Sequence, residues 1–108
     1  MKAFTPGPWT FMPTTSRANH ASVIGAKNGD GFTPWVCHMQ SADIELSNAN
    51  ARLIAAAPDL LAALVEMVAQ DGEAIKDAKA FGIPFPPEML ATYNAARAAI
   101  AKATGDAP

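Results

Sequence analysis

The sequence predicts an α+β fold: an N-terminal three-stranded antiparallel sheet followed by a C-terminal antiparallel two-helix hairpin. Three observations carry this reading. Residues 1–40 concentrate Gly, Pro, Thr, Asn and aromatics in short β-compatible runs. From residue 41 onward alanine, leucine and dispersed charge take over, with apolar positions at helical spacing. The run Phe81-Gly-Ile-Pro-Phe-Pro-Pro87 then divides the helical part in two, because three prolines prevent continuation.

The strand runs are Trp9-Thr-Phe-Met12, Ala21-Ser-Val-Ile24 and Phe32-Thr-Pro-Trp-Val-Cys-His-Met39. Between the last two lies Lys27-Asn-Gly-Asp-Gly31, whose Asn-Gly and Asp-Gly pairs supply the positive φ angles of a tight hairpin. Pro34 has no N–H for a ladder and marks an edge strand, a bulge or a strand start. Trp9, Phe11, Val23 and Trp35 are the expected buried face.

For the first helix, Ser41 or Asn48 is the expected cap, with Asp43 and Glu45 near its positive end. Apolar residues Ile44, Ala51, Ile54 and Ala55, then Leu61, Leu64, Val65 and Val68, recur at helical intervals. Pro58 interrupts them, so the expectation is a kinked or closely broken helix that resumes through Pro58 and continues to about Lys79. Gly82 suits the helix end. A final helix runs from about Pro87 to Ala103, with Met89, Leu90, Ala96 and Ile100 on its apolar stripe and Gly105 terminating it. The layout is one domain: a β segment over 1–40, a helical hairpin over 41–104 and a mobile tail over 105–108. Ala55, Ala56, Ala62 and Ala63 are expected to face Ala95, Ala98 and Ala99. Such contacts bury little area, so self-association through the helices is expected to repair the deficit.

Composition excludes several classes. The chain has 108 residues, half of them hydrophobic, which disfavours global disorder. Its net charge of −2 with eight Lys and Arg scattered along the chain provides no general attraction to DNA, RNA or anionic membranes. No run is long and apolar enough to span a bilayer, and no signal peptide is visible. Cys37 is the only cysteine, which rules out an intramolecular disulfide and fits a reducing, intracellular compartment.

The residues provide no catalytic constellation. His20 and His38 are the only histidines; His38 follows Cys37, and adjacent strand residues point to opposite faces, so they are not a natural metal pair. Asp30, Asp43 or another subunit would have to complete a zinc site, and neither metal nor cofactor is expected. Cys37 or Ser16 as nucleophile would need an orienting base and an oxyanion site. Phosphate-loop, dinucleotide and nucleophile-elbow fingerprints are absent. Two polar sets stand out instead. Asn48, Asn50 and Arg52 head the alanine-rich segment: amides offer paired donors and acceptors, and a guanidinium grips phosphate bidentately. As a plain alternative, they are a helix start. On the last helix Arg97 lies four residues after Tyr93 and three after Asn94, so ring, amide and guanidinium can share a nucleotide or simply form a polar face. Phe85, in its proline-rich loop, is a further stacking candidate.

Thr5-Pro-Gly-Pro-Trp9, a short β segment, Asn48-Ala-Asn-Ala-Arg-Leu-Ile-Ala-Ala-Ala-Pro58 and a terminal alanine-rich helix ending Ala98-Ala-Ile-Ala-Lys-Ala-Thr-Gly105 together resemble a class of small phage and prophage proteins. A sheet followed by two helices also resembles the Thoeris anti-defence sponge family. That resemblance implies a homo-oligomer, a dimer or hexamer, with pockets between subunits. Such a protein binds a cyclic nucleotide immune signal, glycocyclic ADP-ribose or a cyclic oligonucleotide, without cleaving it in the cytoplasm of the infected bacterium. A shared pocket would combine Arg52 of one subunit with Tyr93 and Arg97 of another. The alternatives are a protein-binding inhibitor of a defence system, such as an anti-CRISPR, and an accessory phage protein.

Overall fold

The computed structural model describes residues 4–13, 21–26, 34–39 and 43–106. The described residues fall into two compact units, one up to Leu60 and one from Leu61 onward. Three strands come first, β1 (Thr10–Met12), β2 (Ala21–Ile24) and β3 (Trp35–Met39). Three helices follow, α1 (Ile44–Ala55), α2 (Ala57–Ala80) and α3 (Pro87–Thr104). The α+β class therefore holds, with three helices where the hairpin reading had two.

In the N-terminal unit, β2 lies between β1 and β3, antiparallel to both. One sheet face carries Phe11, Val23 and Cys37 in register, with Ala21 opposite Met39. Against it packs α1. Ala21, Val23 and Ala51 are fully buried, and Trp9, Phe11, Cys37, Met39, Ile54 and Ala55 pack around them. Small side chains make this approach possible. Ser47 and Ala51, one turn apart, are both buried, which brings the helix close to the central strand. Among the described residues the Ser47 hydroxyl has no hydrogen-bond partner.

Trp35 departs from its expected place. It is 56 % exposed and lies on the opposite sheet face. The cause is a register shift: Val23 pairs with Cys37 but Ile24 pairs with Trp35, so Val36 is an extra residue in β3. A bulge of this kind inverts the alternation beyond it.

The cap of α1 is Asp43, whose carboxylate accepts from the Leu46 N–H at 3.0 Å. Asn48 sits inside the helix and does not cap it; Ser41 lies outside the described residues, as do His20, Ser16, Asp30 and the Lys27–Gly31 run for which a turn was expected. α1 and α2 are closely broken at Ala56. Pro58 has no N–H to return to the Ile54 carbonyl, while the Ala56 N–H still reaches Arg52 O at 3.1 Å and Leu60 N–H reaches Ala56 O at 2.9 Å.

In the C-terminal unit, α2 and α3 form the hairpin. α2 ends in a Schellman arrangement, with Gly82 at φ 69°, its N–H on Lys79 O and the Ile83 N–H on Ala78 O. Pro87 opens α3 and Gly105, at φ 80°, closes it. Half-buried Leu61, Leu64, Val68, Gly72 and Ile75 make one stripe on α2; Tyr93, Ala96, Ile100, Ala101 and Thr104 make the stripe on α3. The expected alanine–alanine seam is not formed: Ala62, Ala63, Ala95, Ala98 and Ala99 are exposed, because the larger apolar residues take the helix–helix contact. Neither helix contains a fully buried residue.

Candidate functional site

The two sequence motifs meet inside the N-terminal unit. A Cβ on Gly7 would stand 3.2 Å from the Pro58 Cβ, so the glycine lets the Thr5–Trp9 segment lie against the start of α2. The Trp9 indole N–H donates to the Thr5 carbonyl at 2.9 Å, and its ring meets Phe4 edge-on at 6.1 Å. Gly25 seals the same corner: its N–H donates to Pro34 O at 2.7 Å, and Thr5 and Pro34 occupy the space a side chain would need. These motif residues position the backbone.

Asn48, Asn50 and Arg52 belong to this unit. Both asparagines are half-buried on the flanks of the face that α1 presents to the sheet. Arg52 is exposed, and its guanidinium carbon lies 5.4 Å from the centre of the Phe11 ring. That placement is a cation–π contact joining α1 to β1. It leaves the edge of the guanidinium fork accessible for an anion.

Tyr93, Asn94, Arg97 and Phe85 belong to the hairpin. A Cβ at Gly72 would approach the Tyr93 hydroxyl to 3.1 Å, so the tyrosine packs across the seam onto α2. Arg97 lies over the same ring at 5.7 Å. Beside it an open groove of about 340 Å³ is lined by Val65, Val68, Ala69, Ile100, Ala101 and Thr104, with Arg97 and Asp106 also on its wall. Asn94 is exposed, and Phe85 is half-buried in the loop between the helices. The groove therefore offers an apolar floor and one guanidinium; Tyr93 holds that guanidinium in place and is itself partly covered. A smaller groove, of about 220 Å³, is lined by Asp71, Glu88, Met89 and Thr92. Its carboxylates make it unsuited to phosphate.

Sequence reasoning missed one cluster. On the sheet face away from α1, the His38 ring stacks on Trp35 with centroids 4.4 Å apart, and the buried Ser22 hydroxyl lies 3.3 Å from His38 Nδ1. The bulge at Val36 creates it, by turning Trp35 to the histidine's side. Only Pro34 hinted at such an irregularity. Among the described residues no group of three His, Cys, Asp or Glu is placed to hold a metal ion, and no single helix is long and apolar enough to cross a membrane.

No curated protein and no solved structure matches the chain. A phage family does, over residues 1–107, and so takes in both motifs, the sheet and all three helices. The chain belongs to the family of Salmonella phage P22 protein Y8K6.

Proposed function

We propose that this phage protein acts by binding, and that it sequesters a cyclic nucleotide signal of bacterial defence without cleaving it. The observation that carries the reading is Arg97 on the wall of an apolar groove between α2 and α3. A guanidinium held over Tyr93 can grip a phosphate bidentately, while Val65, Val68, Ala69 and Ile100 offer an apolar surface to a base or ribose. Asp106 restricts the phosphate to the Arg97 end. Arg52, over Phe11, is the second anion-binding candidate, in the other unit. Calorimetry with glycocyclic ADP-ribose and a panel of cyclic oligonucleotides tests this. Arg97→Ala should weaken binding at least tenfold, about 1.4 kcal/mol, with the helical circular dichroism unchanged. Unchanged binding in both Arg97→Ala and Arg52→Ala removes the assignment.

A protein-binding inhibitor of a defence system is the second reading, favoured by Phe81 at 80 % exposure beside the exposed Ile83 at the hairpin tip. Exposed aromatics of this kind anchor protein interfaces. In that case Phe81→Ala abolishes capture of a defined defence complex and no nucleotide is retained.

A further inference from the structure

The groove between α2 and α3 carries opposite charges at its two ends. Arg97 and Asp106 both stand on its wall, and the helix rises about 10 Å from Arg97 to Thr104 before Asp106 follows. α3 closes at Gly105, whose φ of 80° turns the chain. Asp106 then lies beside the last turn, its Oδ2 3.3 Å from the Thr104 hydroxyl. The last carbonyls of a helix add partial negative charge at this end. Lys102, the basic residue of that turn, is not on the groove wall. Between the two charges the lining is apolar: Val65, Val68 and Ala69 from α2, Ile100 and Ala101 from α3.

A phosphate is stabilised only at the Arg97 end. Whatever reaches the Asp106 end must donate hydrogen bonds, because a carboxylate there repels any other polar edge. The groove's volume of about 340 Å³ is near the lower bound of small-molecule sites, roughly 300–1,000 Å³. It therefore takes one nucleotide unit, not a whole cyclic oligonucleotide. With the phosphate on Arg97 and the base on the apolar floor, the outer edge of the base meets Asp106. Guanine presents two adjacent donors there, its ring N–H and its amine, which match both oxygens of a carboxylate. Adenine and cytosine set a ring-nitrogen acceptor beside their amine, and uracil flanks its N–H with carbonyls. Each of these turns a lone pair toward the carboxylate.

We infer that the groove selects a guanine-bearing cyclic nucleotide, Asp106 accepting from the guanine edge while Arg97 holds the phosphate. This rests on the reading that the groove binds a cyclic nucleotide, and adds the base and the residue that chooses it. Thr104 engages one carboxylate oxygen, and a carboxylate offers about four acceptor sites, so a paired donor fits beside it. Asp106 is exposed, so water competes and the selection is modest.

Calorimetry of the full chain with cyclic di-GMP and cyclic di-AMP, which differ only in the base, tests the inference. The wild type should bind the guanine ligand about tenfold more tightly, the lower part of what a bidentate pair discriminates. Asp106→Asn replaces one acceptor by an amide donor, which suits adenine's amine and ring nitrogen, so the preference should turn toward cyclic di-AMP. Asp106→Ala should bind both alike. The ratio of the two affinities is the readout, because losing the charge also eases the approach of any phosphate. Wild-type binding without a guanine preference would overturn the inference, and so would a preference unchanged in both variants; either result leaves nucleotide capture standing. If neither ligand binds, the inference falls, and binding of glycocyclic ADP-ribose that Arg97→Ala weakens decides separately whether the wider reading survives.

Discussion

At Gly25 a Cβ would stand 2.6 Å from Thr5 Cγ2 and 3.1 Å from Pro34 Cγ, so Gly25→Ala must push the Thr5–Trp9 segment off the sheet. The expected cost is about 1–3 kcal/mol, read as a lower urea midpoint. Ser47 should behave in the opposite sense. Its hydroxyl is buried inside a helix with no partner among the described residues, so Ser47→Ala removes a desolvated polar group and improves helix propensity; a gain of about 1 kcal/mol is expected by the same measurement. Arg52→Ala loses the guanidinium over Phe11 and should cost about 0.5–1 kcal/mol. Ala51 was legible in sequence as one position of the apolar helical stripe; that it is fully buried against the sheet was not. Side-chain partners were not legible. Nothing in the spacing of Arg52 indicates that Phe11, forty-one residues earlier, lies beneath it, and Asp43 outcompetes both expected caps because it alone stands one residue before the first helical turn.

Helix ends were the most readable features at the scale of elements, since Gly82, Pro87 and Gly105 act through their own backbone chemistry. Pro58 equally announced an interruption, and its missing N–H separates α1 from α2. The consequence of that break was less visible: α1 leaves the expected hairpin and becomes the cover of the sheet. The bulge at Val36 was hidden for a different reason, because a one-residue insertion in a strand depends on its partner's register, which the local sequence does not encode. Within the hairpin, Gly72 is the position where α2 accepts the Tyr93 hydroxyl. Gly72→Val should therefore pry the helices apart and cost about 1–3 kcal/mol despite replacing a helical glycine. Thermal unfolding checks this, and an unchanged or higher midpoint would show that Tyr93 does not press on that site.

For the whole molecule, membership in a phage family agrees with the resemblance read from the Thr5–Trp9 and Asn48–Pro58 motifs. The structure assigns much of those motifs to architecture: Gly7 meets Pro58, Trp9 ties back to Thr5, and Ala51 enters the core. The motifs thus identify the fold more directly than the ligand. The proposed ligand site is chiefly the Arg97 groove, which no local motif marks because it arises only when α2 and α3 lie side by side. The central claim is capture without conversion, and it is tested most directly by incubating the purified protein with defence nucleotides, removing free ligand, denaturing the protein and weighing what is released. Intact cyclic nucleotide should be released from the wild type and much less from Arg97→Ala. A cleaved or otherwise converted nucleotide, or no nucleotide at all from the wild type, would contradict it.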